Sequence, residues 1–252
     1  MTSNPFAELS AMVSPGVMKT YVVVMILLVV AGTLYDIWHK KSARYFFDNW
    51  QKSKDKGTKD VEIAGLALQT AASEVLTSSE FCNPKRRIAH LLTMYGFIAY
   101  AFATFVMVFW YSAAPGTPTP FIWPLLWFLG ALAVCVGGYW FWFVIRADVS
   151  AEGQSPFRLM RADLFILSLL ASVTLGLIWA LSQSTFFLVL YLFATTVLFA
   201  SVPWSKFSHM FFKPAAALQK RVANANGSRN NLPPPADKPD VFGSARRQPS
   251  HY

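Results

Sequence analysis

Long runs of apolar residues alternate with shorter polar segments along most of the chain. A helix that crosses about 30 Å of hydrocarbon needs about 20 residues, because each residue rises about 1.5 Å. Five runs have this length, and none carries a charged residue near its centre; they cover approximately residues 17–38, 88–110, 120–145, 159–181 and 186–211. The pattern predicts an all-α protein, an integral membrane bundle of five transmembrane helices within residues 17–215.

The polar segments predict different structures. Residues 1–16 are weakly charged and contain two prolines, which indicates an N-terminal arm on the outer side of the membrane. Residues 39–87 are polar, but positions 61–76 repeat small and apolar side chains at helical spacing. They predict a short amphipathic helix that lies on the bundle or against a partner. Residues 216–252 are predicted to be a disordered tail, since from Asn224 onward Asn, Pro, Ser and Arg replace nearly all apolar residues.

Composition and charge support the membrane interpretation and orient the bundle. Of the 252 residues, 54% are hydrophobic and 14% charged, against about a quarter charged in soluble domains. The net charge of +9 comes mostly from segments beside apolar runs, which favours membrane orientation over nucleic-acid binding. Residues 40–87 hold ten Lys/Arg and six Asp/Glu, whereas the turns after the second and fourth spans hold no Lys or Arg. The positive-inside rule predicts an outside N-terminus and a cytoplasmic C-terminus in the inner membrane of a prokaryote.

Three of the four histidines fall at the predicted cytoplasmic ends of spans. Each one alone is typical of an interfacial anchor. His90, in the first turn of the second span, and His209, near the last turn of the fifth, are predicted to lie at the same depth. Two neutral imidazoles at one depth on facing helices can ligate a haem iron, so the pair predicts a b-type haem. His39 is a less suitable ligand, because Lys40 and Lys41 follow it directly in the headgroup region.

The neighbours of the two histidines have two open interpretations. Arg86, Arg87 and Lys206 can neutralise haem propionates, or they can be ordinary anchors at the membrane surface. Three glycines offer thin places where a flat macrocycle could approach the backbone; they are Gly96, Gly137 and Gly138.

Two motifs resemble a known family. Arg86-Arg-Ile-Ala-His90-Leu-Leu-x-x-Tyr-Gly-Phe97 and Val202-Pro-Trp-Ser-Lys-Phe-Ser-His209 are similar to segments in the cytochrome b subunits of the respiratory nitrate reductase gamma type. The resemblance covers residues 17–215 and is nearest to the branch that serves sulfur-metabolism and heterodisulfide-reductase-like complexes. That branch includes the membrane anchor associated with adenylylsulfate reductase and the membrane subunit of the quinone-interacting oxidoreductase. It implies that His90 and His209 are axial haem ligands. Tyr100 and Tyr191 stand where many members place ligands of a second haem, so one haem is expected.

The resemblance implies an electron-transfer subunit, itself non-catalytic or quinone-reactive, between a soluble cytoplasmic iron–sulfur or flavoprotein partner and membrane quinone. The alternative is a haem-free anchor that only tethers this partner. Residues 40–87 are expected to dock the partner or to lie on anionic membrane lipid. A transporter is disfavoured because no charge lies near the centre of a span, and a hydrolase because its motifs are missing.

Overall fold

The protein is described by a computed structural model, which covers residues 3–55, 57, 60–79, 81, 83–145, 159, 163–205 and 209–228. Within these ranges the backbone forms helices and turns and no strand. The helices are α1 (Pro5–Leu9), α2 (Pro15–His39), α3 (Ser42–Asp55), α4 (Ile63–Thr70, with a π-helical continuation Ala71–Leu76), α5 (Pro84–Trp110), α6 (Ile122–Trp140, with a π-helical continuation Phe141–Ile145), α7 (Leu164–Ser182), α8 (Thr185–Ala200) and α9 (His209–Ala225).

The all-helical fold is confirmed. Four helices are long and apolar enough to cross a membrane: α2, α5, α6 with its continuation, and α7. The fifth apolar run divides. Its helix α8 has 16 residues, and a 3₁₀ turn, Val202–Trp204, follows before α9 begins at His209. At 1.5 Å per residue α8 is roughly 24 Å long. Pro203 explains the break, because proline has no backbone N–H and disfavours helix at the preceding residue.

The starts of the long helices follow from local sequence. The Asn83 side chain accepts hydrogen bonds from the backbone N–H groups of Lys85, at 3.0 Å, and Arg86, at 3.4 Å. Pro84 then takes the first helical position, where a missing N–H costs nothing. Ser14 and Pro15 begin α2 in the same manner. Both helices therefore begin where an N-cap residue and a proline coincide.

The centre of the bundle is the crossing of α5 and α6. A Cβ atom built on Gly96 would lie 2.7 Å from the carbonyl oxygen of Gly130, and one on Gly130 would lie 2.7 Å from the same oxygen of Gly96. Small residues at a helix crossing let the two backbones approach closely, which strengthens packing where lipid replaces water. Trp127, fully buried beside this crossing, donates from its indole nitrogen to Thr104 Oγ1 at 2.9 Å.

The N-terminal arm closes one end of the bundle. Phe6 of α1 is buried, with its ring centroid 5.9 Å from that of Trp127 and 5.5 Å from that of Trp179. Asn4 donates to the carbonyl oxygen of Tyr111 at 2.9 Å. Phe6 and Asn4 therefore belong to the core of the bundle, a packing role that the sequence did not predict for the N-terminal arm.

A polar layer formed by α3, α4 and α9 lies at the other end. Gln219 on α9 donates to the carbonyl oxygen of Phe46 on α3 at 3.2 Å, and Arg221 pairs with Glu74 at 2.8 Å. The short helix predicted at 61–76 is present as α4 with its continuation. Helix α9 extends to Ala225, inside the segment predicted to be disordered, because packing against α3 and α4 stabilises it.

Candidate functional site

His90 is held from one side by a loop residue. Its Nδ1 lies 3.1 Å from the hydroxyl oxygen of Ser78, and its ring centroid lies 4.8 Å from that of Phe81. Ser78 is buried and has a left-handed backbone with φ of 48°. A hydroxyl that fixes one imidazole nitrogen orients the ring, as in the outer shell of many metal sites and in structural histidines alike. The contacts are compatible with a ligand role for His90 and do not require one.

His209 has a different position from the one expected. It is the first residue of α9, after the break at Pro203, and not the end of one continuous fifth helix. The side chain of His209 and the whole of Lys206 lie outside the described residues. The pairing of His90 and His209 on one iron therefore stays a prediction.

The other residues considered for the haem have local contacts of their own. The guanidinium carbon of Arg86 lies 5.7 Å from the centroid of Phe81, and Arg87 Nε donates to the carbonyl oxygen of Thr77 at 2.7 Å. His39 stacks on Tyr35, with ring centroids 5.5 Å apart. These contacts suit residues at a membrane surface.

The hypothesis that glycines leave room for a macrocycle is wrong. A Cβ atom on Gly137 would lie 2.6 Å from the carbonyl oxygen of Ala89, and one on Gly138 would lie 2.6 Å from Leu170 Cδ2. Gly96 faces Gly130 in the same way. Neighbouring helices, not a cavity, lie against all three glycines.

A cavity lies between α2 and the helices α5, α7 and α8. Its volume is about 610 Å³, within the usual range for small-molecule sites. Phe6 of α1 lines one end and Met210 of α9 the other. None of the lining residues described is charged; the wall is built mainly from aliphatic and aromatic side chains, among them Met18, Val22, Met25, Val29, Phe97, Phe105, Leu169, Leu188 and Phe199.

A belt of hydroxyl groups crosses this apolar wall. Tyr100 on α5 donates to the Tyr191 hydroxyl on α8 at 2.9 Å, and this contact is buried. Tyr21 on α2 donates to the carbonyl oxygen of Leu192 at 3.0 Å. The sequence singled out Tyr100 and Tyr191 only through the resemblance, as replacements for haem ligands. The recurrence of hydroxyl side chains inside apolar runs was a signal for this belt, but the positions of the helices were needed to join them.

A buried carboxylate lies near the end of α2. Asp36 is 2% exposed and forms an ion pair with Lys40 through Oδ1. Its Oδ2, and Oγ1 of Thr33 one turn earlier, have no hydrogen-bond partner in the part of the chain that the structure describes. Over the same residues, no group of three or more His, Cys, Asp or Glu side chains is arranged to hold a metal ion.

Comparison with known proteins decides the family. The model of the family CitB, citrate utilization protein B, matches residues 5–230, which is most of the chain. The chain belongs to the CitB family. No curated protein and no solved structure matches it.

Membership of the CitB family corrects two expectations. The resemblance to cytochrome b subunits of the nitrate reductase gamma type is wrong, because the matching family is one of citrate utilization. The electron-transfer function and its alternative, a haem-free tether, are wrong for the same reason. The two motifs were misleading, because histidine is also favoured at membrane surfaces where it follows basic residues at the start of a helix or lies near Trp and Lys. The quinone and the soluble redox partner were implied by that resemblance and stay untested predictions.

Proposed function

We propose that this CitB-family chain supports citrate utilization as an integral membrane protein that binds an apolar ligand in the cavity beside α2. The observation that carries the proposal is the lining of that cavity, about 610 Å³ bordered by uncharged side chains in the described bundle. The family match supplies the process, and the chemistry of the wall supplies the class of ligand.

The wall disfavours citrate itself as the occupant. Citrate has three carboxyl groups, and an ionised carboxylate taken from water into apolar surroundings costs many kcal/mol unless cations pair with it. The described lining offers neither Lys, Arg nor His. Membrane sites for charged substrates usually contain ionisable residues inside the bundle. The charged Asp36 and Lys40 are paired with each other at the end of α2.

An elongated apolar molecule with a hydrogen-bonding oxygen fits the wall better. In the bilayer such a ligand is already surrounded by apolar lipid tails, so the hydrophobic effect gives it little preference for the cavity. Close packing and hydrogen bonds must provide the selectivity instead. Tyr21, Tyr100 and Tyr191 line the cavity, and their hydroxyl groups, which bond to Leu192 and to each other in this structure, would supply these bonds by exchanging partners.

The test is growth on citrate. A strain that lacks the gene is complemented with the wild-type chain, with Ala101→Phe or with Ala31→Phe. Ala101 lines the cavity, so the added ring fills it, whereas Ala31 is exposed on α2 and serves as the matched control. We expect wild type and Ala31→Phe to restore growth on citrate and Ala101→Phe to fail, with equal amounts of the three proteins in the membrane. Growth of the Ala101→Phe strain at the wild-type rate contradicts the cavity as the site.

Transport provides the second outcome. Liposomes that contain only the purified chain are expected to accumulate no labelled citrate above empty liposomes. Uptake that depends on the protein contradicts a cavity for an apolar ligand and favours a citrate carrier.

The orientation belongs to the same proposal. The excess of Lys and Arg in residues 40–87 supports an N-terminus outside and a C-terminus in the cytoplasm of a prokaryote. Reporter fusions after Ser112 and after Ser182, at the uncharged turns, are expected to be active outside, and a fusion after Ala225 inside. The reverse pattern rejects the orientation.

Haem ligation by His90 and His209 remains a separate prediction about a cofactor. Arg86 and Arg87 lie in the first turn of α5 beside His90, which suits propionate partners. Purified wild-type protein should give a b-type absorption spectrum on reduction, and His90→Ala and His209→Ala should each abolish it. A colourless, folded wild-type protein from haem-supplied cells rejects it.

A further inference from the structure

The corner between α2 and α3 concentrates positive charge and exposed aromatic rings. We call it the α2–α3 corner; it consists of Trp38, Lys41, Arg44, Tyr45 and Phe47. It directly follows the apolar helix α2, so its residues stand where a spanning helix leaves hydrocarbon for the headgroup region.

The backbone turns sharply at Lys41. This residue has φ of 52°, the left-handed region that glycine adopts easily and other residues disfavour. Its carbonyl oxygen nevertheless accepts from Tyr45 N–H at 3.1 Å, which starts the next helix. A lysine at a position suited to glycine indicates that its side chain has a use there, since strained residues concentrate at functional positions.

The charges of the corner are only partly neutralised within the chain. The buried Asp36 pairs with Lys40, so Lys40 is occupied. Arg44 lies 4.0 Å from Asp48, but both side chains are largely exposed, so this pair is weak. Among the described residues no carboxylate pairs with Lys41, and positions 38–47 contain no Asp or Glu. The corner therefore offers two cations to an external anion.

The aromatic side chains indicate where in the membrane that anion would lie. Trp38 is 75% exposed, Tyr45 72% and Phe47 66%. The opposite side of α3 is already covered, because the backbone carbonyl groups of Phe46 and Ser53 accept from Gln219 of α9 and from Asn226, which directly follows α9. Aromatic rings beside lysine and arginine, at the end of an apolar span, are characteristic of the boundary between headgroups and acyl chains.

We propose that the α2–α3 corner binds the phosphate of an anionic phospholipid in the adjacent leaflet. Lys41 and Arg44 contact the phosphate, and Trp38, Tyr45 and Phe47 lie among the first methylene groups of the same lipid. Anionic lipid attracts basic residues next to a span with an energy that screening by salt reduces. A soluble acidic protein is less suitable, because three large exposed rings would then remain in water. The site is independent of the cavity and of the ligand proposed for it.

The test measures thermal unfolding of the purified full-length chain in neutral detergent mixed with phosphatidylglycerol or with phosphatidylcholine of the same acyl chains. We expect phosphatidylglycerol to raise Tm and phosphatidylcholine to leave it nearly unchanged. Lys41→Gln and Arg44→Gln should each lose a large part of this increment, and the double variant most of it. Lys41→Arg keeps the charge and should keep the increment. Lys220→Gln removes an exposed cation from α9 and is the matched control.

A further variant separates charge from backbone strain. Lys41→Gly relieves the left-handed conformation, so its Tm without lipid should rise, while its response to phosphatidylglycerol should fall. The rise in Tm that phosphatidylglycerol gives the wild-type protein should also be smaller in 1 M than in 0.15 M salt, because the screening length falls from about 8 Å to about 3 Å. The salt measurement uses the wild-type protein alone, so it tests the lipid site even if the variants do not fold.

Three results overturn the proposal. The first is an equal increment from phosphatidylcholine. The second is a full phosphatidylglycerol increment in the Lys41→Gln, Arg44→Gln double variant or, for wild type, in 1 M salt. The third is an increment from polyglutamate, without lipid, as large as that from phosphatidylglycerol, which assigns the corner to an acidic protein.

Discussion

The crossing of α5 and α6 gives the most direct test of the fold. Replacement of Gly96 by alanine adds one methyl group between the two backbones. That methyl carbon would lie 2.7 Å from the Gly130 carbonyl oxygen, 2.9 Å from the Ala133 Cβ and 2.9 Å from the Val134 nitrogen. Two of these three atoms belong to the backbone of α6, so no side-chain rotation can relieve the contact.

The cost can be worked out from these distances. Ordinary contact requires α6 to withdraw by roughly 0.5–1 Å, and such a gap forfeits about a quarter to a half of each dispersion contact along the crossing. Overpacking of this kind costs about 1–3 kcal/mol. Alanine regains about 1 kcal/mol through its helix propensity, which leaves a net loss of about 0–2 kcal/mol. For a chain of this size that corresponds to a fall in Tm of at most about 8 °C.

Thermal unfolding in detergent, followed by tryptophan fluorescence, measures this fall. Gly65→Ala on α4 is the matched control, because a Cβ there lies 3.6 Å from Glu62 Oε2, an ordinary contact, and should stabilise slightly. Gly130→Ala should resemble Gly96→Ala, since each methyl meets the opposite backbone. A Gly96→Ala protein stabilised as much as the Gly65→Ala protein would refute the close crossing, because the added methyl group would then cost nothing at that site.

Three further substitutions test other contacts by the same unfolding assay. Tyr100→Phe removes the hydroxyl donor to Tyr191 and should lower the free energy of unfolding by about 0.5–1.5 kcal/mol. A double-mutant cycle with Tyr191→Phe should give a coupling energy of similar size. Additive losses in the cycle would contradict the hydrogen bond. Lys40→Met leaves the Asp36 carboxylate buried without its ion partner and should cost roughly 1–3 kcal/mol, less than for a fully buried pair because Lys40 is half exposed. Adding Asp36→Asn should recover part of that loss, and a larger loss would reject the pair. Arg221→Ala breaks the ion pair with Glu74 and should cost at most about 1 kcal/mol of stability, since both side chains are partly exposed. A larger loss would mean that α9 contributes more to stability than a partly exposed ion pair explains.

The sequence predicted the long helices because their signals are local. Apolar length determines a span, and the Asn83-Pro84 and Ser14-Pro15 pairs determine where two of them begin. The short helix at 61–76 was also readable from its period. Helix α3 was missed because its residues are polar overall, although its amphipathic pattern at helical spacing was a local signal and its packing on α9 agrees with it.

The cavity and its hydroxyl belt could not be predicted, because they depend on distances between helices. Tyr21, Tyr100 and Tyr191 are far apart in sequence, and each alone is an ordinary aromatic residue of a span. The buried position of Phe6 was equally hidden, since a short arm with two prolines does not indicate which tryptophans it will meet. The family was missed for another reason: basic and histidine-bearing helix ends serve membrane insertion in many unrelated proteins.

Two pairs of residues on the second and fifth spans differ in what their positions along the chain can show. Tyr100 and Tyr191 were named only through the resemblance, as replacements for haem ligands, and their hydroxyl groups lie 2.9 Å apart. His90 and His209 were matched by extending those helices in opposite directions. Within α5 the extension is valid, but on the other side α8 ends at Ala200 and Pro203 redirects the chain before His209 begins α9. Residue number measures depth only along an unbroken helix, which holds for Tyr100 on α5 and Tyr191 on α8 but not for His209, which follows the break at Pro203.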